Sequence, residues 1–230
     1  MSIEVAVIVN PVKVTDPDQL KREVSNRCSA ETGWWETTVD DPGAGQAAEA
    51  VAAGAKLVLV CGGDGTVAAC AGALAGTGVT MAVVPDGTGN LLARNLGIPL
   101  DQVEALEAAF GQHERQIDVL DAGDRRFVVM AGLGFDAALI DETDEDLKAK
   151  LGWLAYLGGL VRAVRGRRRS SYLIELDGRP PVRHRAIGVL VGNVGDLQGG
   201  ITLLPDARPD DGQLDVITLS PHGLLDWPVL

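Results

Sequence analysis

Residues 57–66, LVLVCGGDGT, constrain the fold of this chain more than any other stretch. A short apolar run that ends in glycines reads as a buried strand delivering its carboxyl end to a loop. The residues that follow, VAACAGALAG, are small and apolar, as in a packed helix. Strand, glycine-rich turn and helix in that order predict an α/β layer, with a ligand in the crevice at the strand's end. Glycines bring backbone N–H groups close to an anion, and the helix N-terminus adds partial positive charge. Asp64 in the middle of the turn repels phosphates unless a metal or a donated proton intervenes. The loop therefore points to nucleotide chemistry with Mg²⁺ rather than to capture of a bare anion.

The same alternation surrounds this loop. Residues 3–9, 34–39 and 80–84 read as strands, and 18–30, 44–53, 91–96 and 101–110 as helices. Residues 1–115 are thus expected to form an α/β nucleotide-binding domain, three-layered with a mostly parallel sheet. After about residue 115 the pattern changes. Strands are expected at 116–122, 125–131, 171–177, 186–192 and 213–219, separated by Asp-Arg and Asp-Gly turns. One helix, at roughly 141–165, interrupts them. Residues 116–230 therefore read as a β-rich, sandwich-like domain carrying a single long helix.

Composition removes several classes of function. A net charge of −12 argues against broad, sequence-independent nucleic-acid binding. Cys28, Cys61 and Cys70 are odd in number and lack metal-ligand spacing, which fits cytosolic free thiols. His113, His184 and His222 are scattered, forming neither a metal cluster nor a triad with a serine. The N-terminus has no basic n-region, and no apolar run is long enough to span a bilayer. The expectation is a soluble, cytoplasmic protein.

Three loops follow predicted strands: Asn10-Pro11, Gly62 to Thr66, and PDGTGN at 85–90. Parallel strands place such loops on one edge of the sheet, where they can line one cleft. Each loop alone is also compatible with a plain structural turn. There is no GxxxxGK[ST], no GxGxxG and no HRD/DFG set, so P-loop, dinucleotide-binding and protein-kinase fingerprints are absent.

GGDGT at 62–66 followed by PDGTGNLLARNLGIP at 85–99 resembles the diacylglycerol kinase catalytic-domain family, which includes bacterial lipid kinases and sphingosine and ceramide kinases. LPDARPDDGQLDV at 204–216 is similar to another segment of that family. GGDGT alone is shared with NAD kinases and phosphofructokinases; the loop at 85–90 running into a helix, with the DDG segment, is more specific. The resemblance implies an ATP- and Mg²⁺-dependent lipid kinase, a transferase acting on the hydroxyl of diacylglycerol or a sphingoid-like lipid in phospholipid metabolism. It implies nucleotide contacts from Asn10, Pro11, Thr38 (with Thr37 equally close), Gly62, Gly63, Asp64, Gly65, Thr66, Thr88 and Asn90. It implies catalytic or Mg²⁺-linked work for Asp64 and Asp118. It implies a structural Mg²⁺ held by Asp211 and the carbonyls of Arg208 and Gln213, oxygen ligands that suit a hard cation.

This chain departs from the family at several points. Val67-Ala68-Ala69 stand where Leu-Asn-Glu is frequent, and Leu91 where many members have Asp. The turn after Asn10-Pro11 holds Lys13, a candidate phosphate contact, in place of small residues. Family members also continue past the position of Leu230 with strands carrying an Asp-Gly-Glu motif, the source of their general base. The 230 residues contain no Asp-Gly-Glu, and the resemblance implies a C-terminally truncated second domain.

The stretch 141–169 begins DETDED and continues LKAKLGWLAYLGGLVRAVRGRRR, with seven basic residues from 148 to 169. Its broad apolar face fits packing on the β-sandwich. Trp153 and Tyr156 beside a basic end also fit an interfacial helix, peripheral at the inner membrane face. Two other readings remain beside the lipid kinase: a soluble NAD kinase-like enzyme, and a non-catalytic nucleotide-binding module.

Overall fold

Every residue of β1 (Val5–Val9), VAVIV, is buried. A strand apolar on both faces needs a covering layer on each side. The computed structural model, which describes residues 3–14, 16–111, 113–123, 125–134 and 169–219, has that arrangement. α1 (Pro17–Arg27) leads from β1 to β2 (Thr32–Glu36), and α2 (Ala44–Ala52) leads on to β3 (Leu57–Gly62). α3 (Asp64–Leu74) then precedes β4 (Thr80–Pro85), α4 (Leu91–Leu96) and α5 (Gln102–Ala109). The four strands form a parallel sheet in the order β2-β1-β3-β4.

Alternation along β1 and β3 divides the apolar side chains between two cores. Val5, Val7, Val9, Leu59 and Cys61 meet Leu20 and Val24 of α1 and Ala105 and Leu106 of α5. Ala6, Ile8, Val58 and Val60 meet α2, α3 and α4 through Ala50, Cys70, Leu74 and Leu92. The helix starts are specified locally. Asp16 accepts from the Gln19 N–H at 2.8 Å ahead of Pro17, and Asp101 accepts from the Val103 and Glu104 N–H groups.

β5 (Leu120–Ala122) and β6 (Arg125–Phe127) pair antiparallel. They belong to a first compact unit, Met1–Val129 with Pro209–Asp211. The second unit is Met130–Arg208 with Gly212–Leu230. Its described strands are β7 (Met130–Leu133), β8 (Ser170–Ile174), β9 (Val182–Ala186), β10 (Gly188–Gly192), β11 (Asp196–Leu197), β12 (Ile201–Thr202) and β13 (Asp215–Leu219). β13, β10 and β7 form an antiparallel sheet in that order, while β8–β9 and β11–β12 are two-stranded. Leu190, Leu203, Leu204 and Ile217 form the core of this unit.

The parallel α/β layer and the β-rich remainder are as expected; several individual strands are not. The strand expected at 116–122 survives only as β5, because the Asp118 N–H donates to the Pro209 carbonyl at 2.6 Å instead of to a neighbouring strand. The strand expected at 125–131 divides at Val128-Val129 into β6 and β7, one in each unit. The strand expected at 34–39 lies earlier, at Thr32–Glu36. β9 was not expected at all: VRHRA follows Pro180-Pro181 and carries its charges at alternate positions. The helix expected at 141–165 lies outside the described residues. Among the described residues no helix is long and apolar enough to cross a membrane. Cys28, Cys61 and Cys70 are free thiols.

Candidate functional site

The chain leaves β1 toward β2 on one side and returns to β3 on the other, so strand order reverses between β1 and β3. Open α/β sheets hold their ligands outside the carboxyl ends of the strands at such a point. The loops after β1, β3 and β4 emerge there side by side. The Asn10 N–H donates to the Cys61 carbonyl at 3.0 Å, and the Asp86 N–H donates to the Gly62 carbonyl at 3.0 Å.

The glycines of these loops do different work. A Cβ on Gly87 would lie 2.6 Å from the Gly63 Cα, so the two loops meet backbone to backbone. A Cβ on Gly62 would press on Thr66, whose side chain is buried. Gly65 is the exception, since a Cβ there would meet nothing within 4 Å. Gly63 is the N-cap of α3 and offers no side-chain acceptor to the first N–H groups of that helix. Such groups look for an acceptor outside the helix and favour an anion.

Asp64 joins the loops. Its Oδ1 accepts from the Leu91 N–H at 2.6 Å, and a Cβ on Gly89 would sit 2.6 Å from its Oδ2. Leu91, which departs from the aspartate of many members of the family it resembles, thus contributes its backbone. Asn90 holds a left-handed backbone at φ 49°. Its Oδ1 accepts from the Gly87 N–H at 2.9 Å, and its Nδ2 donates to the Gly87 carbonyl at 2.8 Å. Asn90 therefore shapes the second loop from within. Thr88 is exposed on the same loop.

In the first loop the Asn10 Oδ1 accepts from the Val12 N–H at 3.1 Å. Its carbonyl accepts from the Lys13 and Val14 N–H groups, leaving Pro11 and Lys13 exposed. Asp86 was not singled out from sequence. Burial holds its carboxyl above the usual carboxylate range, and the charge of Lys13 offsets part of that. Burial, with the charge of Asp86, pushes the Cys61 thiol up to about 12, so it is no nucleophile. Of the two threonines after β2, Thr37 is buried and its N–H donates to the Val9 carbonyl, while Thr38 is exposed. The Thr38 Oγ1 accepts from the Asp41 N–H at 3.0 Å. The Asp41 carboxylate in turn accepts from the Gly43 and Gly45 N–H groups at the start of α2.

The remaining expected residues lie away from these loops in sequence. Asp118 and Asp211 belong to the first unit, where Arg115 pairs with Asp210 at 2.8 Å. Arg208 and Gln213 belong to the second unit. Among the described residues no group of three or more His, Cys, Asp or Glu is placed to hold a metal. The first unit thus brings together Asn10, Gly62–Thr66 and 85–90 by strand order. A backbone-lined anion cradle with one carboxylate at its centre is suited to positioning phosphates rather than to nucleophilic attack by the protein.

The sequence pattern described as the diacylglycerol kinase catalytic domain matches residues 4–122. The pattern described as the YegS C-terminal NAD kinase beta sandwich-like domain matches residues 128–226. A Pseudomonas aeruginosa protein named "Probable lipid kinase YegS-like" is 40% identical over 174 residues, 74% of this chain and 57% of its own length. A protein of the same name from Pseudomonas putida is 40% identical over 178 residues, 75% of this chain and 58% of its own. The chain therefore spans less than two thirds of these curated relatives. The crystal structure of a diacylglycerol kinase from Bacillus anthracis str. Sterne superposes with a TM-score of 0.78 at 28% identity, covering 96% of this chain and 75% of that one.

Proposed function

The chain belongs to the diacylglycerol kinase catalytic-domain family, and from that premise we propose that it transfers the γ-phosphoryl group of ATP to a hydroxyl of diacylglycerol or a related sphingoid-like lipid. The observation that carries the reading is the pair of glycine loops at the strand-order reversal, held together through Asp64 and Leu91 beside an uncapped helix N-terminus. In this reading residues 1–115 hold the nucleotide and 116–230 the lipid.

The residues have distinct tasks. The N–H groups of Gly63, Gly65 and Thr66 face the phosphates, with the Thr88 hydroxyl and the Lys13 ammonium adding donors from the neighbouring loops. Asn10, Pro11 and Thr38 contact the rest of the nucleotide. Gly62 and Asn90 keep the loops in shape. Mg²⁺, when bound, neutralises charge on the transferring phosphoryl group. Asp64 and Asp118 are oxygen donors fitting for that cation, and Asp211 with the carbonyls of Arg208 and Gln213 would hold a separate, structural Mg²⁺. Asp64 is the first candidate to accept the proton of the lipid hydroxyl, and Asp118 the second. A lipid acceptor puts the work peripherally on the inner membrane face.

Transfer of labelled phosphate from ATP tests the reading, with diacylglycerol and sphingosine in mixed micelles compared with NAD in solution. Lipid phosphorylation is expected, and phosphorylation of NAD alone would sink the lipid reading. Asp64→Asn keeps an oxygen for the Leu91 N–H, so it is expected to fold normally while losing roughly a hundredfold or more in rate. Asp64→Ala also leaves that N–H without its acceptor, at about 1–2 kcal/mol of stability.

A further inference from the structure

Charge is distributed very unevenly along this acidic chain. Residues 147–186 hold ten of its 20 lysines and arginines but only two of its 32 aspartates and glutamates. The described end of that stretch is the β8–β9 hairpin. Its register pairs Tyr172 with His184 and Ser170 with Ala186 on one face, and Leu173 with Arg183 and Ser171 with Arg185 on the other. The first face, which also carries the Ile174–Val182 pair, is half-buried to buried apart from Ser170 and Val182, and the Tyr172 hydroxyl donates to the Ile187 carbonyl. The second face is exposed throughout: Leu173 keeps 64% of its surface.

Among the described residues neither Arg183 nor Arg185 forms an ion pair. The Arg183 guanidinium donates to the Ser171 Oγ at 2.9 Å, which lays it along the strands. Arg179 is exposed at the hairpin end and Arg169 stands just before β8. Glu175 and Asp177 are the acidic residues nearby, both toward the turn. The turn is stiff: Asp177 and Gly178 have φ 51° and 70°, followed by Pro180-Pro181.

We propose that the Leu173–Arg183–Arg185 face of this hairpin docks the protein on an anionic phospholipid bilayer. An exposed leucine beside arginines that have no ion-pair partner among the described residues matches a lipid interface, where the apolar side chain enters and the guanidinium groups meet phosphates. A nucleic acid would take the cations but leave Leu173 in water, and the hairpin's tyrosine is turned to the other face, away from any base. The proposal deepens the lipid-kinase reading by naming how the substrate's surface is held.

Co-sedimentation of the 230-residue chain with vesicles tests it. Binding is expected to phosphatidylcholine containing about one-third phosphatidylglycerol, to fall with added salt, and to be weak on phosphatidylcholine alone. Arg183→Gln with Arg185→Gln should weaken binding about tenfold to thirtyfold, from the usual contribution of each cation at such a surface. Leu173→Ser should weaken it with little change in salt dependence. Arg22→Gln with Lys56→Gln, an equal charge change elsewhere, should leave it unaltered. Unaltered binding by the hairpin variants overturns the proposal, as does binding to polyuridylate in place of vesicles. Phosphorylation of a short-chain, dispersed diacylglycerol is read in parallel and should be the same in wild type and hairpin variants. If no lipid is phosphorylated while the vesicle pattern holds, the kinase reading fails and the docking surface stands.

Discussion

Gly65, in the first turn of α3, and Asp86, in the loop after β4, carry opposite burdens. Among the described residues nothing lies within 4 Å of a Cβ placed on Gly65, and its φ is not positive, so they give no reason for a missing side chain there. Gly65→Ala is expected to raise stability by about 0.5–1 kcal/mol, as alanine does within a helix. The same change should raise the KM for ATP about tenfold, if phosphates approach that backbone. A raised melting temperature with an unaltered KM would remove the first turn of α3 from the phosphate site. Asp86 sits in a place where burial disfavours its charge. Its folded pKa lies above the unfolded value, so it favours folding below the unfolded pKa and loses that contribution as pH rises through the folded one. Asp86→Asn should therefore stabilise the protein modestly at pH 7, and the gain should vanish below about pH 4. Lys13→Ala should act in the opposite sense by removing the offsetting charge. Both are read from melting temperature against pH. The glycine loops were legible in the sequence, but the division of labour within them was not. What Gly63 and Gly65 are for depends on where Gly87 lies, and one-dimensional order does not say that.

At the scale of elements, α4 is the instructive case. Its six residues begin after a left-handed Asn90 that also brackets Gly87. Asn90→Gly keeps the backbone conformation and loses both side-chain hydrogen bonds, at about 1–2 kcal/mol. Asn90→Ala adds the left-handed strain, roughly 1 kcal/mol more. Urea denaturation should rank wild type, glycine variant and alanine variant in that order; equal values for the two variants would show the backbone to be unstrained. The parallel strands were readable because β1 and β3 are apolar along their whole length. β9 was not, because only His184 and Ala186 on it are covered while Val182 is exposed, too mixed a pattern to announce a buried face. Nor was the shortening of β5 readable, since the acceptor of the Asp118 N–H lies far along the chain, at Pro209.

On the scale of the whole molecule, the polypeptide changes unit at Val129, at Arg208 and again at Asp211. The three residues Pro209–Asp211 therefore finish a unit whose other residues all precede position 130. Asp210→Asn, which weakens a half-exposed pair with Arg115, should cost only about 0.5 kcal/mol. A fragment of residues 1–129 loses that pair and the Pro209 acceptor together. Hydrogen exchange at residues 115–118 should be much faster in the fragment than in the whole chain; equal protection would mean the segment closes nothing. The Arg115–Asp210 bond spans 95 residues. On a ribosome, β7 to β12 have all been synthesised before that aspartate leaves the exit tunnel. A unit that begins at the N-terminus would ordinarily be finished first. Here the tie to Asp210 forms only after β7 to β12 have been made, and until then Arg115 and the Asp118 amide wait in the nascent chain for partners not yet made.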